Sequence, residues 1–175
     1  MSEADFNFSP VSWRDRIGFG SGRPGFPSKE VSRDSLKPWI EFMRNKGILR
    51  VLSFLGDDEK DYYKCDIDQE MINAFGEGKY TRTSVFAPNS KQVILNAIDA
   101  AHKAAEPIVM HCSGGEGRTS IGMCMWLVHV HKLSPEEAAE ELKKETEALT
   151  GIVRRISAEK VAYLISNSTM AGFKK

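Results

Sequence analysis

Apolar positions along this chain fall into two periods. Over positions 35–46, Leu36, Trp39, Ile40 and Met43 recur at helical spacing, with Pro38 in the tolerated first turn and Gly47 as a stop. "ILRVLSFL" then runs almost without interruption, the pattern of a strand covered on both faces, and "KYTRTSVF" reads as another strand. Over 90–105, Val93, Ile94, Ala97, Ile98 and Ala101 form a helical stripe that leads through Pro107 into the strand "IVM". After a glycine-rich turn, "TSIGMCMWLVHVHK" is apolar almost all round, which predicts a central helix. Ser134, Pro135 and Glu137 supply an N-cap, an N1 proline and a capping-box glutamate for a helix through Ala148, and a last helix begins at Ser157. The opening "WRDRIGFGSGRPGFPS" is broken by Gly, Pro and Ser, so a short strand over 16–19, at a sheet edge, passes into loop. Strands alternating with helices predict an α/β fold with a central, mostly parallel sheet flanked by helices.

At 175 residues, 41% of them hydrophobic, the chain is long enough for one sizeable core, so a single domain over 1–175 is expected. Lys plus Arg (24) balances Asp plus Glu (24), which gives no indication of a nucleic-acid groove or an anionic membrane as partner. No stretch approaches the ~20 apolar residues of a membrane span, and "MSEADFNFSP" lacks the regions of a secretory signal, so a cytoplasmic protein is expected. Cys65, Cys112 and Cys124 are an odd number and read as reduced thiols, with Cys124 in the core of its apolar helix. Oligomeric state is not legible.

The chemistry concentrates in "HCSGGEGRTS", residues 111–120, between a buried strand and a buried helix. Backbone amides and the positive helix end converge there, which makes an anion site suited to phosphate. Gly114, Gly115 and Gly117 let the loop curl its N–H groups inward, and Arg118 offers a planar fork to two phosphoryl oxygens. Cys112 lies at the base of that cradle, where such surroundings lower thiol pKa values to about 3.5 to 7.5. Neither a metal nor a cofactor is called for.

Cys-x5-Arg followed by Thr and preceded by His resembles the signature of the protein tyrosine phosphatase superfamily, in particular its cysteine-dependent dual-specificity branch. The resemblance extends more loosely to "SGRPG", "GILRVLSFL", "APNSKQ" and the "RR" at 154–155. It implies that Cys112 attacks phosphorus to form a phosphocysteine, that Arg118 binds the phosphoryl oxygens and that Thr119 hydrogen-bonds the sulfur. By the same resemblance, Ser113, Gly114, Gly115, Glu116 and Gly117 supply amides, and His111 orders the loop. The implied substrate is a phosphorylated protein, with phosphoinositide and phosphoglucan as alternatives. Glu116 disfavours a heavily phosphorylated inositol ring by charge.

The sequence departs from that family in one place. An aspartate upstream of a proline-containing helix start is the family's general acid, and here the stretch is "TSVFAPNS", with Ser84 or Val85 at the position. Asp57 and Asp58 follow the carboxyl end of a strand and rank first as substitutes, ahead of Glu77, Asp66, Asp68 and Glu116. A phosphate-binding module with little turnover is the alternative that this gap leaves open.

Overall fold

The computed structural model describes residues 1–154, 156–167 and 169–173. Five strands form one sheet: β1 (Ser9–Pro10), β2 (Gly18–Gly22), β3 (Arg50–Ser53), β4 (Tyr80–Arg82) and β5 (Ile108–Cys112). Their order is β1-β2-β5-β3-β4, and only the β1–β2 pair is antiparallel. The helices are α1 (Lys37–Asn45), α2 (Ile67–Phe75), α3 (Ser90–Ala104), α4 (Gly117–His131), α5 (Pro135–Thr150) and α6 (Ala158–Ser166).

The pleat explains why "IVM" is apolar at every position. Val109 joins Trp39, Met43 and Met71 beneath α1 and α2, while Ile108, Met110 and Cys112 join Ile94, Ile98 and Trp126 on the opposite face, under α3 and α4. A parallel strand at the centre of a sheet is buried on both sides, so both of its faces must be apolar. α4 lies so close to β2 that a Cβ on Gly20 would collide with the Met123 sulfur and sit 2.8 Å from Thr119 Cγ2. This approach sets the first turn of α4 over the carboxyl ends of the central strands. Ser134 and Glu137 close the expected capping box at the start of α5, whose Ala138 and Leu142 are buried while Glu136, Glu140 and Glu147 are exposed.

Two features differ from the sequence pattern. β2 is an inner strand, because the two-residue β1 pairs outside it and takes the edge. The segment holding Asp66 and Asp68 forms α2, capped by Asp66, whose side chain accepts from the amides of Asp68 and Gln69. Among the described residues, no helix is long and apolar enough to cross a membrane.

Candidate active site

β5 pairs with β2 and β3, and its last residue, Cys112, lies opposite Gly22 in the register. The 113–116 loop then turns into α4. Three of its carbonyls are tied down from outside the loop: Ser113 O accepts from Arg23 N at 3.0 Å, Gly114 O from Asn7 Nδ2 at 2.9 Å, and Gly115 O from Arg154 Nη1. Glu116 O accepts from Ser120 N at 2.9 Å. In a trans peptide the C=O and the following N–H point opposite ways, so fixing these carbonyls outward turns the amides of Gly114, Gly115, Glu116 and Gly117 toward the concave side. Gly115 makes the turn at φ +83°, where a Cβ would also lie 2.5 Å from Gly22 N.

Cys112 is buried at the base of this loop. Thr119 Oγ1 lies 3.1 Å from Cys112 Sγ and 3.3 Å from Ser21 O, so its single proton bonds one or the other. His111 is buried edge-on to Trp39, with ring centroids 5.6 Å apart. Burial pushes its pKa down to about 4, against a weaker opposite pull from the Cys112 backbone, so the ring is neutral near pH 7.

Arg118 is aimed by a residue that the sequence pattern does not reveal. Its Nη1 donates to Phe54 O at 2.9 Å and to Glu59 Oε2, and its Nη2 donates to Glu59 Oε1 at 2.8 Å. Glu59 stands in a short 3-10 turn (Asp58–Tyr62) that follows β3, and Gly56 N donates to its Oε2 at 2.9 Å. Burial works to raise the Glu59 carboxyl, but the hydrogen bonds from Arg118 and Gly56 outweigh it and hold it below its ordinary range. A guanidinium carries five N–H groups. Three are spent on Glu59 and Phe54, which leaves the adjacent Nε and outer Nη2 hydrogens as one unoccupied, parallel edge among the described residues.

Two further guanidiniums are buried here and serve differently. Arg23 donates to Ser113 Oγ at 3.2 Å, Pro24 O at 3.3 Å and Ser28 O at 2.5 Å, and lies over the Tyr62 ring at 4.9 Å. Arg154 donates to Ser9 Oγ, Asn7 O and Gly20 O as well as Gly115 O. Burial pulls the Arg154 pKa down to about 10, which still leaves it charged near neutrality. Among the described residues neither has a carboxylate in ion-pair range. The second arginine of the "RR" pair, Arg155, lies outside the described residues.

The acidic candidates are dispersed. Asp57 is 92% exposed and paired with Arg82 at 2.9 Å, and Asp58 is exposed. Neither bonds Cys112 or Arg118 among the described residues, whereas their neighbour Glu59 does reach Arg118. Asp66 caps α2, and Asp68 is held by Lys60 at 2.8 Å, Tyr80 at 2.8 Å and Arg82 at 3.0 Å. Glu77 and Glu116 are exposed. In "TSVFAPNS", Ser84 Oγ accepts from Phe86 N at 3.3 Å, and Val85 is buried.

No family model matches this chain, and no curated protein does either. Solved structures do match. PTPMT1 in complex with PI(5)P superposes at TM-score 0.60 with 19% identity, over 88% of this chain and 90% of that one. Kinase-associated phosphatase with its catalytic-site cysteine substituted by serine gives 0.61 and 17%, over 83% and 87%. A human tyrosine phosphatase-like serine/threonine/tyrosine-interacting protein gives 0.57 and 11%, over 87% and 92%. With the mostly parallel sheet and the strand–loop–helix that holds Cys112 and Arg118, these likenesses show that the chain has the cysteine-dependent phosphatase fold of the dual-specificity type.

Proposed function

We propose that this protein hydrolyses phosphomonoesters through a phosphocysteine intermediate. One observation carries the reading: the carbonyls of the 113–116 loop are tied outward while Arg118 keeps one two-hydrogen edge free beside Cys112. A phosphoryl group seated there would meet inward amides on its equatorial oxygens and the Arg118 edge on two of them, with Cys112 Sγ in line below. The thiolate forms the S–P bond as the P–O bond to the leaving group breaks, and the departing oxygen takes a proton from solvent. Water then attacks phosphorus, the S–P bond breaks, and phosphate and the thiolate are released. Thr119 can donate to the sulfur as it leaves in this second step.

A tyrosine or dual-specificity protein phosphatase is the favoured class. Glu116, exposed on the loop, weighs against a polyphosphorylated inositol ring, although a structural neighbour was crystallised with PI(5)P. A phosphoglucan has no feature here that supports it. The binding-module alternative is favoured by "TSVFAPNS", where Ser84 or Val85 takes the position that the resemblance gives to a general acid. Turnover of an aryl phosphate by wild type beside Cys112→Ser, with an acid quench to trap phosphoenzyme, decides between them. Release and a trapped S-phosphate in wild type only are expected. Equal release by Cys112→Ser would overturn the mechanism, and none by wild type would leave the module.

A further inference from the structure

Beside the phosphate loop lies a cavity of about 180 Å³ that shares Gly117 and Arg118 with it. Its walls are Phe86, Ile121, Ile156, Met170 and Phe173, and Lys160 stands at its side. An apolar cavity of about 150 Å³ is enough to take benzene, so this one accommodates an aryl ring. Among the described residues, no carboxylate lines it.

The outer wall belongs to the C-terminal segment, and that segment is fastened to the loop after β4. Met170 N donates to Val85 O at 2.9 Å, Thr169 Oγ1 reaches the same oxygen at 3.3 Å, and Ser90 Oγ does so at 2.9 Å. Phe173 packs edge-on to Tyr163 with centroids 5.2 Å apart. Three donors on one carbonyl pin the loop, and Phe86, 51% exposed, projects from it at the cavity. A segment that presents no acid is thus held as a fixed wall.

Lys160 adds charge to this apolar surface. Its Nζ lies 5.9 Å from the centre of the Phe173 ring, and among the described residues it has no carboxylate in ion-pair range. We propose that Lys160 and the wall formed by Phe86, Met170 and Phe173 make a specificity subsite for the leaving group. It selects phosphomonoesters whose apolar body carries a second anionic group. This rests on the phosphatase reading, because the cavity's continuity with Arg118 makes it a leaving-group subsite only if a phosphoryl group occupies the loop. Both carboxylate and phosphate substituents satisfy an ammonium, so the shared requirement is negative charge.

The test uses three phenyl phosphates with matched para substituents: carboxymethyl, phosphonomethyl and the neutral carboxamidomethyl. Their affinities are measured by calorimetry for Cys112→Ser, and their turnover by the enzyme with Cys112 intact. Both charged esters are expected to bind about two- to fivefold tighter than the neutral one at low salt, the scale of one solvent-exposed ion pair. The preference should shrink as ionic strength rises. Adding Lys160→Gln should bring the ratio to one, and Lys160→Glu should invert it. A preference for the phosphonate alone supports the subsite and narrows the second group to phosphate. A ratio of one with Lys160 present, or a ratio unmoved by Lys160→Glu, overturns the proposal. Failure of Cys112-intact enzyme to turn over any ester refutes the phosphatase reading, while the affinity ratios still decide whether Lys160 reads charge.

Discussion

Glu59→Gln isolates the part of the site that aims Arg118. The carboxylate takes one hydrogen from each of Nη1 and Nη2, and glutamine keeps the shape but offers a single acceptor, so its NH2 faces a guanidinium N–H. A hydrogen bond to a charged group contributes about 1.5–3 kcal/mol. The pair is partly open, with side chains 10% exposed for Glu59 and 25% for Arg118, and solvent screening brings the expected loss to about 1–2 kcal/mol. If Arg118 binds the equatorial oxygens in the transition state, that loss converts to a fall of about 5- to 30-fold in kcat/KM for an aryl phosphate. Glu59→Gln placed on Arg118→Met should cost almost nothing more, since the two act as a unit. Acid should mimic the change. The folded Glu59 pKa lies below its ordinary value of 4.5, so its contribution is complete above that value and disappears as pH falls through the lower folded pKa. An unchanged kcat/KM in Glu59→Gln, or additive losses in the double variant, would refute the view that Glu59 works through Arg118.

With Ser84 or Val85 at the position where the resemblance puts the acid, the rate should depend steeply on leaving-group pKa. Nitrophenyl phosphate and phosphotyrosine should be turned over and phosphoserine scarcely at all, because general acid help of about 100- to 10,000-fold is absent. Asp57→Asn and Asp58→Asn should leave that slope unmoved, since neither carboxylate bonds the site; a steeper slope in either would identify the acid. Thr119→Val, which removes the hydroxyl 3.1 Å from Cys112 Sγ, should slow release of the thiolate and enlarge the pre-steady-state burst about tenfold relative to steady turnover. Asp15 accepts from Trp126 and His131, each at 2.6 Å, and from the amides of Ile17 and Gly18. Burial opposes these bonds, yet they hold its pKa below the ordinary value of 3.8. Asp15→Asn should therefore lose ~1–3 kcal/mol of stability in urea melts at pH 7, and the deficit should vanish as pH falls through the depressed pKa.

Legibility in the sequence followed the range of the interaction. The "ILRVLSFL" stretch around β3, the first three residues of β5 and the middle of α4 are apolar almost without interruption because both faces are covered, and the Ser134 capping box is a contact across three positions, so a local pattern reveals each. Cys112, Arg118 and Thr119 are bound to one turn and were legible for the same reason. β1 escaped because two residues, one a proline, have no period to detect. α2 escaped because only Ile67 and Met71 are buried in it. Glu59 meets Arg118 across 59 positions, and Asn7 meets Gly114 across 107, distances at which a single sequence holds no local pattern. The "SGRPG" and "RR" stretches marked Arg23 and Arg154 by likeness alone, with no indication that their donors reach the 113–116 loop.

The three guanidiniums divide one task by how their hydrogens are spent. Arg23 spends one hydrogen from each nitrogen on Ser113 Oγ, Pro24 O and Ser28 O, and Arg154 gives its own to Ser9 Oγ, Asn7 O, Gly20 O and Gly115 O; neither has a carboxylate in ion-pair range among the described residues. Burying such charges is costly unless something negative arrives. Arg118 is the reverse: Glu59 neutralises it and fixes its plane, and one edge is kept back. Attraction and recognition therefore reside in different residues. On the proposed reading, Arg154 ties back the Gly115 carbonyl and Arg23 the Ser113 hydroxyl while their charges favour an anion, and Arg118 would supply the geometry that distinguishes a tetrahedral phosphoryl group from any other negative charge.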